Sequence, residues 1–253
     1  MNLDSAVAVV TGAGSGMGRA AAEAFARGGA RVAVLDLDGT SAGATAAGIG
    51  EGALAVEVDI ADPGAVEKAF ARIDEAFGRV DVCVNAAGNP APGKILSRGA
   101  PLPLERFTAV IAVNLIGTFD MMRQAAVRMA ANEPDDEGER GVIVNIASGA
   151  AWQGQSGQAA YAASKAGVIG MTLPVARDLA PHGIRVVDVA PGLFDTTMLA
   201  GLPEAARESL ETMVLNPKRL GRPTEVAELI CHIVSNRYLN ATTISIDAGS
   251  RMV

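Results

Sequence analysis

The chain sets two scarce residue types four positions apart. It holds two tyrosines and four lysines in 253 residues, and Tyr161 and Lys165 stand in Ala160-Tyr161-Ala162-Ala163-Ser164-Lys165. Residues four apart share one face of a helix, so both side chains can address one ligand. A phenol titrates near ~10 in water, and an adjacent ammonium favours its ionised form. The pair is therefore a candidate for proton transfer in the working pH range. Ser148 lies thirteen residues before Tyr161, at the end of an apolar run, and is a third candidate. Asn114, in Val113-Asn114-Leu115, interrupts a helical pattern that Asn supports poorly. Two readings fit it: it holds a water that links Lys165 to solvent, or it is a satisfied core amide.

A second group of residues suits a dinucleotide. Thr11-Gly12-Ala13-Gly14-Ser15-Gly16-Met17-Gly18 follows an apolar run and opens a helical one. Glycine permits a tight turn and lets backbone N–H groups approach a pyrophosphate at the positive end of a helix. Gly12, Ser15, Gly16, Met17 and Gly18 are the expected contacts. Val34-Leu35-Asp36-Leu37-Asp38 ends the next apolar run about twenty residues on, where a carboxylate can accept both hydroxyls of an adenosine ribose. Asp36, beside Leu37 and aided by Asp38, would repel a 2′-phosphate, so NAD(H) is expected over NADP(H). Asp59-Ile60 ends the third run: either Asp59 meets the adenine amino group with Ile60 along the ring, or it caps the helix near Pro63. Asn85-Ala86-Ala87-Gly88 is small enough to let a cofactor ribose pass. Pro191-Gly192-Leu193-Phe194-Asp195-Thr196 could grip a nicotinamide carboxamide through backbone groups and the Thr196 hydroxyl.

These residues need a frame, and the hydrophobic pattern supplies one. Ala6–Thr11, Arg31–Leu35, Ala53–Val58, Val80–Asn85, Val142–Ala147, Ile184–Ala190 and Thr242–Ile246 read as strands buried on both faces. Arg19–Arg27, Pro63–Phe77, Leu104–Ala131, Ala159–Leu179 and Pro223–Val234 read as helices between them. The alternation predicts an α/β fold: a single-domain, Rossmann-type, doubly wound parallel sheet of about seven strands spanning residues 1–253, with helices on both faces. Ligands bind beyond the carboxyl ends of such strands. The excursions Asn89–Pro103 and Leu193–Asn216 follow two strand ends and are candidate walls of a site. Asn132–Arg140 (NEPDDEGER) reads as a solvated acidic loop.

Composition narrows the function. The net charge of −7 argues against nucleic acid and anionic membrane as partners. No apolar run reaches the ~18 residues of a membrane span. The first residues lack the features of a secretory signal. Cys83 and Cys231 stand far apart with no CxxC pattern, so neither a disulfide framework nor a metal site is expected. A cytoplasmic protein acting on a small molecule is the expectation.

Taken together, TGAGSGMG, NAAG, Asn114, Ser148, YAASK and the PG at 191–192 resemble the short-chain dehydrogenase/reductase family in one order over almost the whole chain. NEPDDEGERGVIVNIAS, GQAAYAASK, GMTLPVARDLAPHGIRV, APGLF, RLGRP and DAGSRM are similar to the subgroup that oxidises 3-hydroxyacyl-CoA thioesters. The resemblance implies that Tyr161 is the general acid/base, that Ser148 orients the substrate oxygen, and that Lys165 binds the nicotinamide ribose and lowers the Tyr161 pKa. It implies that Asn114 supports a proton-relay water. It further implies NAD as cofactor, an acyl-CoA substrate of short or branched chain, and a homotetramer built through the long helices. Gln155 and Gln158 could contact substrate, and Trp152 and Leu199 could line an acyl pocket, although a Trp is more often simply packed. Asp195 stands where the subgroup carries Gly, Thr197-Met198 also departs, and Ala86 replaces the second Asn of the usual NNAG. Hydroxysteroid or other secondary-alcohol oxidation, 3-oxoacyl-carrier-protein reduction and a non-catalytic scaffold role are the alternatives.

Overall fold

Valine- and isoleucine-rich runs too apolar for either face to meet water dictate a sheet covered on both sides. In the computed structural model, which describes residues 1–196 and 210–251, those runs form seven parallel strands. They are β1 (Val7–Thr11), β2 (Arg31–Asp36), β3 (Ala53–Glu57), β4 (Val82–Asn85), β7 (Gly141–Ile146), β8 (Ile184–Pro191) and β9 (Thr242–Ile246). Their order is β3-β2-β1-β4-β7-β8-β9. Every residue of β1, β4, β7 and β8 is buried. The order reverses between β1 and β4, which opens a crevice beyond their carboxyl ends. Thr11 and Asn85 are register partners at that point.

Helices cover the two faces. α1 (Gly16–Arg27) and α8 (Pro223–Ser235) bury Phe25, Ile230 and Ile233 on one side. On the other, α3 (Pro63–Phe77), α5 (Thr118–Ala130) and α7 (Ala159–Leu179) flank the sheet, with Phe70, Ile73, Met121 and Met129 in the core. α3 starts as its sequence demands: Asp62 accepts the Gly64 N–H at 2.9 Å and Pro63 occupies the first turn. No helix among the described residues is long and apolar enough to cross a membrane.

The structure departs from the hydrophobic pattern in four places. A helix, α2 (Gly39–Ile49), fills a stretch that carries no apolar stripe. Its buried residues are Ala42 and Thr45, and Asp38 caps it by accepting the Thr40 N–H at 3.0 Å. The expected helix Leu104–Ala131 is three pieces: α4 (Leu104–Ile111), a π-helical segment (Ala112–Gly117) and α5. A short antiparallel pair, β5 (Leu96–Ser97) with β6 (Ala100–Pro101), lies inside the Asn89–Pro103 excursion. α1 starts at Gly16, three residues before the pattern suggests, because the glycine turn itself is its first turn.

The acidic loop is not the solvated stretch its composition suggests. Glu139 is buried and pairs with the buried Arg185 at 2.7 Å, while Arg185 also donates to the carbonyls of Ile233, Val234 and Leu239. Asn132 is buried and donates to the Val80 and Arg140 carbonyls. The loop crosses the amino-terminal rim of the sheet, where backbone carbonyls and a buried guanidinium need partners. Removing one member of a buried ion pair strands the other. Glu139→Gln is expected to cost about 3 kcal/mol in urea unfolding. Unchanged stability would show that Arg185 needs no counter-charge.

Candidate active site

The glycine turn packs backbone on backbone and leaves no room for side chains. Gly12 adopts φ +63°, and a Cβ there would come within 2.8 Å of the Ala87 nitrogen. A Cβ on Gly18 would strike the Gly12 carbonyl, so α1 sits directly against the turn. Ser15 is the extended N-cap residue, and the orphan N–H groups of the first helical turn are characteristic anion donors. Met17 packs partly on the core behind them. A Cβ on Gly16 would stand 3.7 Å from the side chain of Thr196, in the segment after β8, so that segment overhangs this helix start.

Asp36 lies at the carboxyl end of β2. Its carboxylate accepts the Gly14 N–H at 2.8 Å and the Asp38 N–H at 3.1 Å, and Leu37 beside it is exposed. Asp38 is fixed by the Thr40 N–H and the Ser41 hydroxyl, and the Ser41 bonds lead in holding its carboxyl below the usual range. Asp59 is exposed and accepts the Ala61 N–H at 2.9 Å, whereas the cap of α3 is Asp62. Ile60 is buried next to Gly117, whose Cβ would meet the Ile60 carbonyl at 2.6 Å.

The small residues after β4 close the floor. Ala86 and Ala87 both donate backbone N–H bonds to the Thr11 hydroxyl at 3.1 Å. Asn85 points into the sheet, where its amide donates to Asn145 at 2.8 Å. Past β8, Pro191 accepts the Gly149 N–H at 3.0 Å, and Gly192 is crowded by Asp247 and Ser250. Phe194 is buried and turns its ring into the core against Gly221, away from the expected cofactor contact. Asp195 is exposed.

Across this floor the scarce residues meet. Ser148 follows β7, is buried, and accepts the Ala150 N–H at 3.1 Å. Tyr161 stands in the first turn of α7: burial pushes its phenol above the ordinary value, and a hydrogen bond with Ser148 pulls the other way. One turn on, the Lys165 ammonium lies 5.8 Å from the Tyr161 ring centroid and donates to the Ile146 carbonyl at 2.6 Å. Burial brings that ammonium down to about 8, against the opposing charge of Asp188. Gly88 borders both Lys165 and Asn114, since a Cβ on it would sit 3.7 Å from Nζ and 3.6 Å from the Asn114 oxygen.

Asn114 occupies the π-helical segment and is fully buried. Its amide donates to the Ser164 hydroxyl and to the Asn89 carbonyl, each at 3.0 Å, and accepts the Asn89 N–H at 2.7 Å. Those bonds make it a satisfied amide that ties α7 to the loop after β4. Gln155 and Gln158 line a cleft of about 420 Å³ with Lys94, Ile95, Leu96 and Ala162. Trp152 is exposed rather than packed, and Leu199 with Thr197-Met198 lies outside the described residues. The cleft wall at Lys94–Leu96 falls in the Asn89–Pro103 excursion expected to wall a site, although its residues were not singled out, and the Ser164 partner of Asn114 escaped sequence reasoning.

The sequence matches the short chain dehydrogenase family over residues 6–207. The chain belongs to the short-chain dehydrogenase family. It is 50% identical over 196 residues to a protein of Bos taurus named 3-hydroxyacyl-CoA dehydrogenase type-2, a match covering 77% of this chain and 75% of that one. A solved 3-hydroxyacyl-CoA dehydrogenase type-2 from Mycobacterium avium superposes with TM-score 0.94 at 36% identity, covering 98% of this chain and 96% of that chain. A 3-ketoacyl-(acyl-carrier-protein) reductase from Brucella melitensis, solved with NADH, gives TM-score 0.87 at 32% identity over 98% of each chain. This short-chain dehydrogenase is thus an oxidoreductase of a family that uses a nicotinamide cofactor. Its glycine turn fits that group: Gly12 packs on Ala87 and Gly18 on Gly12 with no room for a Cβ, which holds the first-turn N–H groups of α1 where an anion can meet them. Gly12→Ala should weaken NADH binding by about tenfold or more, the equivalent of ~1.4 kcal/mol, through clash and positive φ. Calorimetric titration with NADH measures it; unaltered affinity would show the turn yields freely.

Proposed function

We propose that this short-chain dehydrogenase uses NAD to interconvert (S)-3-hydroxyacyl-CoA and 3-oxoacyl-CoA of short or branched chain. The observation that carries the reaction class is the convergence of Ser148, Tyr161 and Lys165 at the carboxyl rim of the sheet, above a glycine cradle. The thioester is supported by the relative at 50% identity named for that substrate. NAD rather than NADP is supported by Asp36, whose carboxylate sits beside Gly14 where a 2′-phosphate would meet it.

When bound, the nicotinamide group supplies or accepts the hydride. The residues of the chain handle the oxygen and its proton. In the reductive direction, the Tyr161 phenol, kept neutral by burial, gives its proton to the carbonyl oxygen. The Ser148 hydroxyl hydrogen-bonds the same oxygen and fixes its position. Lys165 holds positive charge behind the phenol and stabilises the phenolate left there. In the oxidative direction Tyr161 takes the proton back. Asn114 holds α7 and the loop after β4 in register, which keeps Lys165 aligned. Gln155 and Gln158 face the cleft that would take the acyl part.

One domain carries all of this, with a substrate loop at about 193–216. The exposed Ile116, Phe119 and Val127, with Leu173 on α7, support assembly as a homotetramer through the long helices. A cytoplasmic enzyme in fatty acid metabolism fits the two free cysteines and the proposed substrate.

Tyr161→Phe should lower hydride transfer by roughly 10²–10⁴-fold while NADH still binds. Stopped-flow absorbance at the nicotinamide band with 3-hydroxybutyryl-CoA, 2-methyl-3-hydroxybutyryl-CoA, a 17β-hydroxysteroid and a simple secondary alcohol reads both turnover and preference. Near-normal turnover of the variant would overturn the mechanism, and a faster steroid or simple alcohol would overturn the thioester. Lys165 loses its charge as pH rises through about 8, so the reductive kcat/KM of the wild type should fall on that alkaline side.

A further inference from the structure

Four adjacent strands contribute polar side chains to one row inside an otherwise apolar sheet. Asn85, Asn145, Asp188 and Thr243 are successive register partners on β4, β7, β8 and β9. Asn85 donates to Asn145 at 2.8 Å, Asn145 donates to Asp188 at 3.1 Å, and Thr243 donates to Asp188 at 3.1 Å. The Thr172 hydroxyl of α7 closes on the same Asp188 oxygen as Thr243. Asp188 has no exposure to solvent. A row that only aligned strands could be neutral throughout, yet this one contains a carboxylate, which is costly to bury without a cation.

The cation is Lys165. Thr172 and Lys165 are seven residues apart on α7 and so share a face. Lys165 is buried, and its ammonium is anchored on the carbonyl of Ile146, the residue after Asn145. The two groups make no direct ion pair, since the ammonium bonds the Ile146 carbonyl, but each charge acts on the other through the buried space between them. Other elements bring little competing charge. β4 presents Cys83, whose thiol burial pushes up to about 12, and the π-helical segment presents Asn114. α5 presents Met122 to Asn145, and its Asp120 has Arg123 at 2.6 Å. Tyr161 of α7 is held neutral by burial.

We propose that Asp188 is a positioning residue for proton transfer: an ionised carboxylate, set by two donors from the sheet and one from α7, that keeps the Lys165 ammonium charged behind Tyr161. It touches neither substrate nor cofactor and acts through Lys165. Burial pushes the Asp188 carboxyl above the ordinary range, while the Thr172, Asn145 and Thr243 bonds and the Lys165 charge pull it back. This inference rests on the reading of Tyr161 and Lys165 as the proton-transfer pair.

With four lysines in the chain, ¹³Cε-lysine labelling gives a spectrum in which Lys165 is assigned by its loss in Lys165→Arg. Asp188→Asn keeps the shape and acceptor oxygen but removes the charge; Thr243→Val removes one hydrogen bond and leaves the charge. Asp188→Asn should move the Lys165 titration down by roughly one unit, with the alkaline limb of reductive kcat/KM following it. Thr243→Val should leave both in place. A Lys165 titration unmoved in Asp188→Asn overturns the inference, as does a limb that Thr243→Val shifts equally. If Asp188→Asn does not fold, ¹³Cγ-aspartate spectra of the wild type decide: Asp188 ionised at pH 7 supports the inference and Asp188 protonated there overturns it. Retained turnover in Tyr161→Phe defeats the underlying reading instead, so the two failures are distinguishable.

Discussion

Lys165 carries an ammonium into a place that water hardly reaches, and much of the architecture answers to that charge. A buried cation needs oxygen, and a parallel sheet offers it at the strand ends, where carbonyls run out of neighbours. Ile146 at the end of β7 supplies the carbonyl, and one strand over Asp188 supplies opposite charge. α7 must then lie across β7 and β8 at one fixed height, which sets where Tyr161 stands. The Asn114 amide fixes the same helix from the other side through Ser164. The phenol is thus positioned by what its neighbour requires.

The second half of the site obeys a different constraint, close approach of backbone to backbone. It is built from absences of side chain at Gly12 and Gly18, and from the two N–H groups that Thr11 holds at Ala86 and Ala87. The two halves share the loop after β4, which begins on the cradle floor and ends at Asn89, on Asn114. Movement of that loop would disturb the glycine turn and the Tyr161–Lys165 pair together.

The central strands were legible because β1, β4, β7 and β8 are buried on both faces and so are written as mainly apolar runs, while the flanking β3 and β9, only partly buried, were legible from their β-branched and apolar residues. The glycine turn and the Tyr161–Lys165 pair were legible because their chemistry needs particular types at particular spacing. α2 was not, since helix Gly39–Ile49 packs through Ala42 and Thr45 and needs no large side chain. The acidic loop misled because charge count says nothing of pairing: Glu139 finds Arg185 only in three dimensions. Phe194 belongs to the strand-end motif by sequence, yet Gly221, distant in the chain, makes the slot that takes its ring. The Asp188 row left a trace that pattern reading passes over, one Asn in each of VCVN and GVIVNI and an Asp in IRVVDVAP.

The π-helical turn at Ala112–Gly117 changes the phase of the helix that contains it. Each residue of an α-helix advances the chain by about 100°, so a turn that takes one extra residue rotates everything after it by that much relative to an uninterrupted helix. α4 and α5 are therefore two differently clocked cylinders end to end. The arrangement lets Asn114 face α7 while Met121, Met122 and Met129 still face the sheet. Deleting one residue from this segment would restore a regular helix and leave one of those two faces pointing the wrong way.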